Sequence, residues 1–447
     1  MKNASVLVFS LLLSAASLST WAESVKDREG AVRKDRAAME HDERWIYNDV
    51  ERGFAEAQKS GKPLLVVLRC VPCLACMGMD AAVLASDELA PLLDEFVCVR
   101  LINANTLDLQ LFQFDYDLSF STLIFNADRT LYGRYGSWQH QKDSQDTSLD
   151  TYLGALRRAL DLHRGYPGNK AALAGKQGGP APFRTPVDIP KLAERYGREL
   201  DWQGNVVKSC VHCHQIGDAF RAFHREANKP IPLEFIYPMP APETVGLSVS
   251  SGDSLKVEAV AAGSAAAIAG IQPGDVIEAI EGQPVISTAD VAWVLHRAPD
   301  SGTLDFTLRR EKAVQELQLV LSPEWRFKTD ISRRVGAWSL RGMTLGGMVL
   351  EDLADTERAA LGLDATSLAF RVKGLGQYGV HGLSKRSGFQ KDDILVEIEG
   401  IKHRQSESEL LGRLLSDPRG KRPLPMTLIR TGKRLELTLP RPSDAQE

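Results

Sequence analysis

A chain of 447 residues with 43% hydrophobic and 25% charged residues has the make-up of folded globular protein, with length for about three or four separately cored units. Its formal charge of −4 gives no basic footprint for nucleic acid, so nucleic-acid binding is set aside. The six cysteines stand at 70, 73, 76, 98, 210 and 213, a clustering that suits sulfur chemistry better than a disulfide framework.

At the start, Lys2 precedes an apolar run over 6–18, and Thr20-Trp21-Ala22 offers small residues at the −3 and −1 cleavage positions. Residues 1–22 therefore read as a removable secretory signal. No cysteine follows to take a lipid, and no later stretch approaches the roughly 18 apolar residues a membrane span needs. The expected address is the periplasm, with no membrane span in the mature protein.

An amphipathic helix is expected over 48–59, ended by Ser60-Gly61-Lys62-Pro63, and Leu64-Leu65-Val66-Val67-Leu68 reads as a buried strand. Arg69-Cys70-Val71-Pro72-Cys73-Leu74-Ala75-Cys76 then places a Cys-x-x-Cys where the strand ends and a helix begins. Unpaired backbone N–H groups there stabilise a thiolate, which makes Cys73 the attacking thiol and Cys76 the resolving one. Cys70 and Cys73 have the same spacing, so the sequence does not choose the pair. Three thiolates at Cys70, Cys73 and Cys76 also suit Cu(I) or zinc, and a structural disulfide is the bland reading. Cys98, inside an expected strand over 97–101, reads as a buried hydrophobe. Helices over 87–96, 107–114 and 149–163 and strands over 122–125 and 131–135 complete the pattern.

This order, with Gly-Lys-Pro-Leu-Leu-Val-Val before Cys-x-x-Cys, resembles the thioredoxin fold over residues 40–165. The chain departs from that family at three places. Val67 stands where many members carry a buried acid, Pro72 where an aromatic usually precedes the first active cysteine, and Phe120-Ser121-Thr122 where the family has Thr-Pro. The resemblance therefore implies a redox dithiol without ranking reductase, isomerase and oxidase activities.

Residues 166–190 are rich in proline and glycine and read as a flexible linker. In the segment 191–240, Cys210-Val211-His212-Cys213-His214 has the spacing at which two thiols add to haem vinyl groups while the next imidazole reaches the iron. Haem c is the expected cofactor, held by Cys210, Cys213 and His214. Met239, between Pro238 and Pro240, is the leading second axial ligand and His224 the runner-up. His212 is expected to face solvent. A plain dithiol or half of a zinc site are the other readings, a full zinc site needing a second ligand pair. Helices are expected over 191–200 and 219–225.

Residues 243–322 carry Val245-Gly246-Leu247, a strand over 255–260, and the run Gly263-Ser264 through Gly270 to Gly274-Asp275-Val276-Ile277. A helix over 288–296 and strands over 304–309 and 314–321 follow. The pattern resembles PDZ domains of the bacterial envelope type. That resemblance implies that an extended peptide adds a strand beside Val245, Gly246 and Leu247, whose N–H groups receive its terminal carboxylate. A diverged copy is expected over 343–440, with Gln390-Lys391-Asp392-Asp393-Ile394 repeating the turn and strand, a helix over 407–415, strands over 426–430 and 434–439, and Leu345, Gly346 and Gly347 in the loop. Gly252-Asp253-Ser254 reads as a turn, because no His and Asp arrangement of a serine protease surrounds it.

The expected fold class is thus multi-domain α/β plus mainly-β: a thioredoxin-like domain, a short helical haem segment and two PDZ-like modules. The combination resembles exported thioredoxin-like/PDZ proteins. It implies a periplasmic thiol–disulfide or electron-transfer protein whose modules recruit envelope proteins or peptide C-termini to a redox partner. A non-catalytic, peptide-binding scaffold with structural cysteines and a metal-handling protein are the alternatives.

Overall fold

The computed structural model describes residues 27–71, 83–118, 120–136, 148–250, 252–253, 255–332, 334–417 and 422–441. The expected signal, Cys73 and Cys76 lie outside the described residues. No helix among these is long and apolar enough to cross a membrane. The chain divides into two compact units, one of residues up to 216 with 249–256 and 276–290, the other of 217–248, 257–275 and 291 onward.

In the first unit, helix α1 (Arg28–Met39) precedes strand β1 (Trp45–Tyr47) and helix α2 (Val50–Ser60). Asp49 caps α2 by accepting from the Arg52 N–H, and Gly61 closes it at φ 70°, a left-handed position that glycine adopts without strain. Strand β2 (Leu64–Arg69) is buried along its whole length, as a continuous apolar run covered on both faces must be. Strands β3 (Val97–Leu101), β4 (Phe120–Phe125) and β5 (Leu131–Gly136) and the Ser148-capped helix α3 (Leu149–Arg164) follow. The sheet runs β1-β3-β2-β4-β5, with β3 parallel to β1 and β2, and with β4 antiparallel to both β2 and β5. This is the thioredoxin-like arrangement. Parallel register sets Leu68 opposite Leu101, so the ends of β2 and β3 emerge side by side.

Several expectations in this unit need correction. Residues 107–114 form turns instead of a helix: the Asp108 carboxylate accepts from the Gln110 and Leu111 N–H groups, and the Leu109 N–H donates to the Arg184 carbonyl. Residues 166–190 are a packed strap, not a flexible linker. Lys176 is 1% exposed with its Nζ 2.7 Å from Asp290 Oδ2, and Val187 donates to the Asn105 carbonyl. The expected helix over 87–96 shrinks to Ala90–Leu93, and that over 191–200 to Pro190–Ala193.

Helix α4 (Cys213–Glu226) is twice as long as expected and begins inside the Cys-x-x-Cys-His motif. Strands β6 (Leu247–Val249) and β7 (Val257–Val260) form a two-stranded sheet, β8 (Val276–Ile280) pairs antiparallel with β9 (Gln283–Pro284), and helix α5 (Thr288–Arg297) comes next. Strands β10 (Gly302–Arg310) and β11 (Ala313–Leu321) make a regular antiparallel hairpin. In the second unit, helix α6 (Gly336–Leu345) leads into β12 (Met348–Asp352), β13 (Phe370–Leu375) and β14 (Ile394–Ile398). Helix α7 (Glu407–Ser416), β15 (Leu424–Arg430) and β16 (Lys433–Leu439) complete it. These five strands form an antiparallel sheet in chain order, over a core that includes Phe370, Leu395, Leu410 and Leu428.

One polar constellation occurs twice in this unit. Asp275 accepts from the Gln272 N–H and from Nε and Nη2 of Arg310, whose Nη2 also donates to the Gly270 carbonyl. Asp393 accepts from the Gln390 N–H and from Nε and Nη2 of Arg430, whose Nη2 donates to the Gly388 carbonyl. A bidentate arginine therefore ties the same turn to the same later strand in both places.

Candidate redox site

The reactive groups of the first unit gather where β2 and β3 end. Cys70 follows the last residue of β2, and its Sγ lies 3.1 Å from His212 Nδ1. The two residues line one cavity with Cys210 and Cys213, a space of about 520 Å³ with its open mouth included. Its other walls are mostly apolar, among them Leu68, Val71, Ile102 and Val206. Arg69, 4% exposed, brings a guanidinium to the same wall. His212 is thus not the solvent-facing loop residue expected from its place between the two cysteines; it belongs to the cavity.

The segment that carries these groups is held by a residue the sequence did not single out. Asn105 is fully buried; its Oδ1 accepts from the Val211 N–H, and its Nδ2 donates to the Gly197 and Ser209 carbonyls. The His212 N–H donates to Gln215 Oε1, and Gln215 in turn donates to the Tyr196 hydroxyl. Glu29 accepts from the Val206 and Val207 N–H groups, closing the start of the short helix before Cys210. The only signal for Asn105 in the sequence was a second amide two residues after Asn103, which names no partner.

The electrostatics differ from one thiol to the next. Burial pushes the Cys210 thiol up to about 11 and the Cys98 thiol up to about 12. Cys210 Sγ donates to the Ile102 carbonyl at 3.5 Å. Burial, helped by His214, Arg28 and Arg195, pushes the His212 imidazole down to about 4, so it is neutral near pH 7. Cys213 opens α4, where the backbone N–H groups of the first turn favour a thiolate.

Covalent haem is the expectation for this segment. Attachment requires both thiols and the His214 imidazole to face one space large enough for the macrocycle. Here His212 shares the cavity with Cys210 and Cys213, and the His214 ring stacks on that of His212 with centroids 5.9 Å apart. The Cys210 thiol is turned to the backbone of the strand end at Ile102, and the Val211 between the cysteines is 1% exposed. Met239 belongs to the second unit, where it is 5% exposed, and its carbonyl accepts from Arg334 Nη2. The runner-up His224 packs its ring against Phe235, and burial lowers its pKa. Among the described residues no group of three or more His, Cys, Asp or Glu side chains is set to hold a metal ion. Copper or zinc at Cys70, Cys73 and Cys76 falls partly outside the described residues.

The loops expected to receive a peptide carboxylate are partly committed elsewhere. Val245 and Leu247 are buried, and the Gly246 N–H donates to the Glu243 carbonyl. Gly246 has φ 92°, and a Cβ there would meet Ser264 Oγ at 2.2 Å, so only glycine fits. In the other loop, Gly346 and Gly347 follow Leu345 at positive φ, and the Gly347 N–H donates to the Arg341 carbonyl.

Residues 45–127 match the model of a thioredoxin-like family, and residues 256–310 match that of the PDZ domain. No curated protein gives a match. Among solved structures, the chain is similar to the HtrA-type protease AlgW with decapeptide, at 14% identity and TM-score 0.21, covering 39% of this chain and 51% of that one. The S227A form of that protease gives 13% identity, TM-score 0.21, and 40% and 52% coverage. The chain spans about half the length of these structures. It carries a thioredoxin-like domain and a PDZ domain, and a PDZ domain supports binding of peptide or protein partners.

Proposed function

We propose that this protein is a thiol–disulfide oxidoreductase of the periplasm, exported by residues 1–22, whose PDZ domain brings protein partners to the cysteines of the thioredoxin-like domain. The observation that carries the reading is the Cys70 thiol at the end of β2, with His212 Nδ1 at 3.1 Å, in an apolar cavity beside a buried guanidinium. Such a site shields a resolving sulfur from solvent and holds a proton acceptor against it. In this reading Cys73 attacks a partner disulfide and Cys76 or Cys70 resolves the mixed disulfide. The sheet of β12 to β16, which repeats the Asp275 and Arg310 constellation at Asp393 and Arg430, is a second, diverged PDZ-like module.

The test is reduction of insulin disulfides by the full chain with dithiothreitol as donor. Cys73→Ser is expected to lower the rate by about 100-fold or more, because the attacking thiolate of this reading is removed. Unchanged activity in that variant, or an inert wild type that still binds C-terminal peptides, favours the scaffold reading.

A further inference from the structure

We infer that Cys210 and Cys213 form a second redox couple that exchanges its disulfide with Cys70 inside the same unit. The inference rests on the oxidoreductase reading and adds an internal partner to it. Three observations carry it. Cys70, Cys210 and Cys213 line one cavity. Cys210 Sγ is anchored on Ile102, the residue after β3, while Cys70 follows β2; the parallel register of Leu68 with Leu101 puts these chain ends on neighbouring strands, about 5 Å apart. Asn105 and Gln215 fix the loop that presents both sulfurs, so the juxtaposition is built and not incidental.

The step balances without an outside oxidant. Starting from a Cys210–Cys213 disulfide, Cys70 Sγ attacks Cys210 Sγ as its proton passes to His212 Nδ1. The Cys70–Cys210 bond forms, the Cys210–Cys213 bond breaks, and Cys213 leaves as the thiolate. Cys213 is the better leaving group because it opens a fourteen-residue helix, whereas Cys210 sits in the apolar wall. His212 then returns the proton to Cys213. The Cys210–Cys213 disulfide has been exchanged for a Cys70–Cys210 disulfide with Cys213 left as a thiol, and run backwards the step restores the Cys70 thiol. A thiol pair in this position serves as reservoir or relay for a domain that otherwise meets its partners one disulfide at a time.

The full chain, matured by export, is equilibrated in glutathione buffers over a range of poise, alkylated and mapped by mass spectrometry. The Cys210 and Cys213 peptide is expected to pass between dithiol and internal disulfide, and the variant Cys73→Ser/Cys76→Ser/Cys213→Ser to collect a Cys70–Cys210 linked pair about tenfold or more over any link to Cys98. His212→Asn in that background is expected to slow the linkage by about tenfold or more. Haem mass on Cys210 and Cys213, tightly held zinc released only by their substitution, or thiols at 210 and 213 that stay unlinked at every potential would each overturn the inference. Should the triple variant fail to fold by circular dichroism, the wild-type titration decides alone. Insulin reduction that persists while 210 and 213 stay unlinked defeats only this inference, whereas thiols inert throughout defeat the oxidoreductase reading as well.

Discussion

At the end of β2, polar and titratable groups stand around an open cavity, and several of them are held in their neutral form: the His212 imidazole pushed down, the Cys210 thiol pushed up. In the second unit the buried charges are closed off instead. Asp275 and Asp393 are each met by two guanidinium nitrogens and a backbone N–H, and Glu407 accepts from Nε and Nη2 of Arg341 and from the Leu350 N–H. The contrast teaches how to separate chemistry from architecture. A buried group whose hydrogen-bonding capacity is saturated by rigid partners has nothing left to offer a substrate, while one facing a cavity does.

The largest break in that contrast is expected from Glu407→Ala. It leaves the Arg341 charge, 8% exposed, without its carboxylate and should cost about 3–5 kcal/mol, read as a lower urea midpoint. Asp275→Ala and Asp393→Ala come next, at about 2–4 kcal/mol each, and similar values would show that the repeated constellation does the same work in both places. On the cavity side, Asn105→Ala removes three hydrogen bonds; it should cost about 1–3 kcal/mol and speed alkylation of Cys210 while leaving that of Cys98 slow.

A smaller effect comes from pH. The folded imidazole of His212 titrates below its unfolded value, so the unfolded state binds more protons between about pH 6.5 and 4, and stability falls as pH drops through that window. His212→Asn should flatten that part of the profile. Smallest of all, Cys98→Ala should change stability by about 1 kcal/mol and redox behaviour not at all, since that thiol is packed inside β3.

The regular elements were legible because their signals are local. The continuous apolar run of β2, the Asp49 and Gly61 boundaries of α2 and the alternation of β10 all lie within a few residues of one another. Failures of the reading came where a distant partner decides. Nothing near Asp108 tells that its carboxylate will capture local N–H groups while Leu109 donates to residue 184. His212 read as a loop residue because its partner, Cys70, is 142 positions away. The Cys-x-x-Cys-His spacing was visible at once, yet which imidazole shares the cavity with the thiols is set by Asn105 and Gln215, which no motif includes. Cys73 and Cys76 lie outside the described residues, so their pairing rests on the sequence.

Lys176 carries a practical lesson for anyone trimming this polypeptide. Its ammonium reaches Asp290 across 114 positions of chain, and its carbonyl accepts from the Arg134 guanidinium. A fragment cut at residue 165 for convenience would strip Arg134 of that acceptor, and one cut at 190 would remove the carboxylate that pairs with the Lys176 amine. Either piece should be less soluble than the parent, and its sulfur chemistry would be measured on a damaged scaffold.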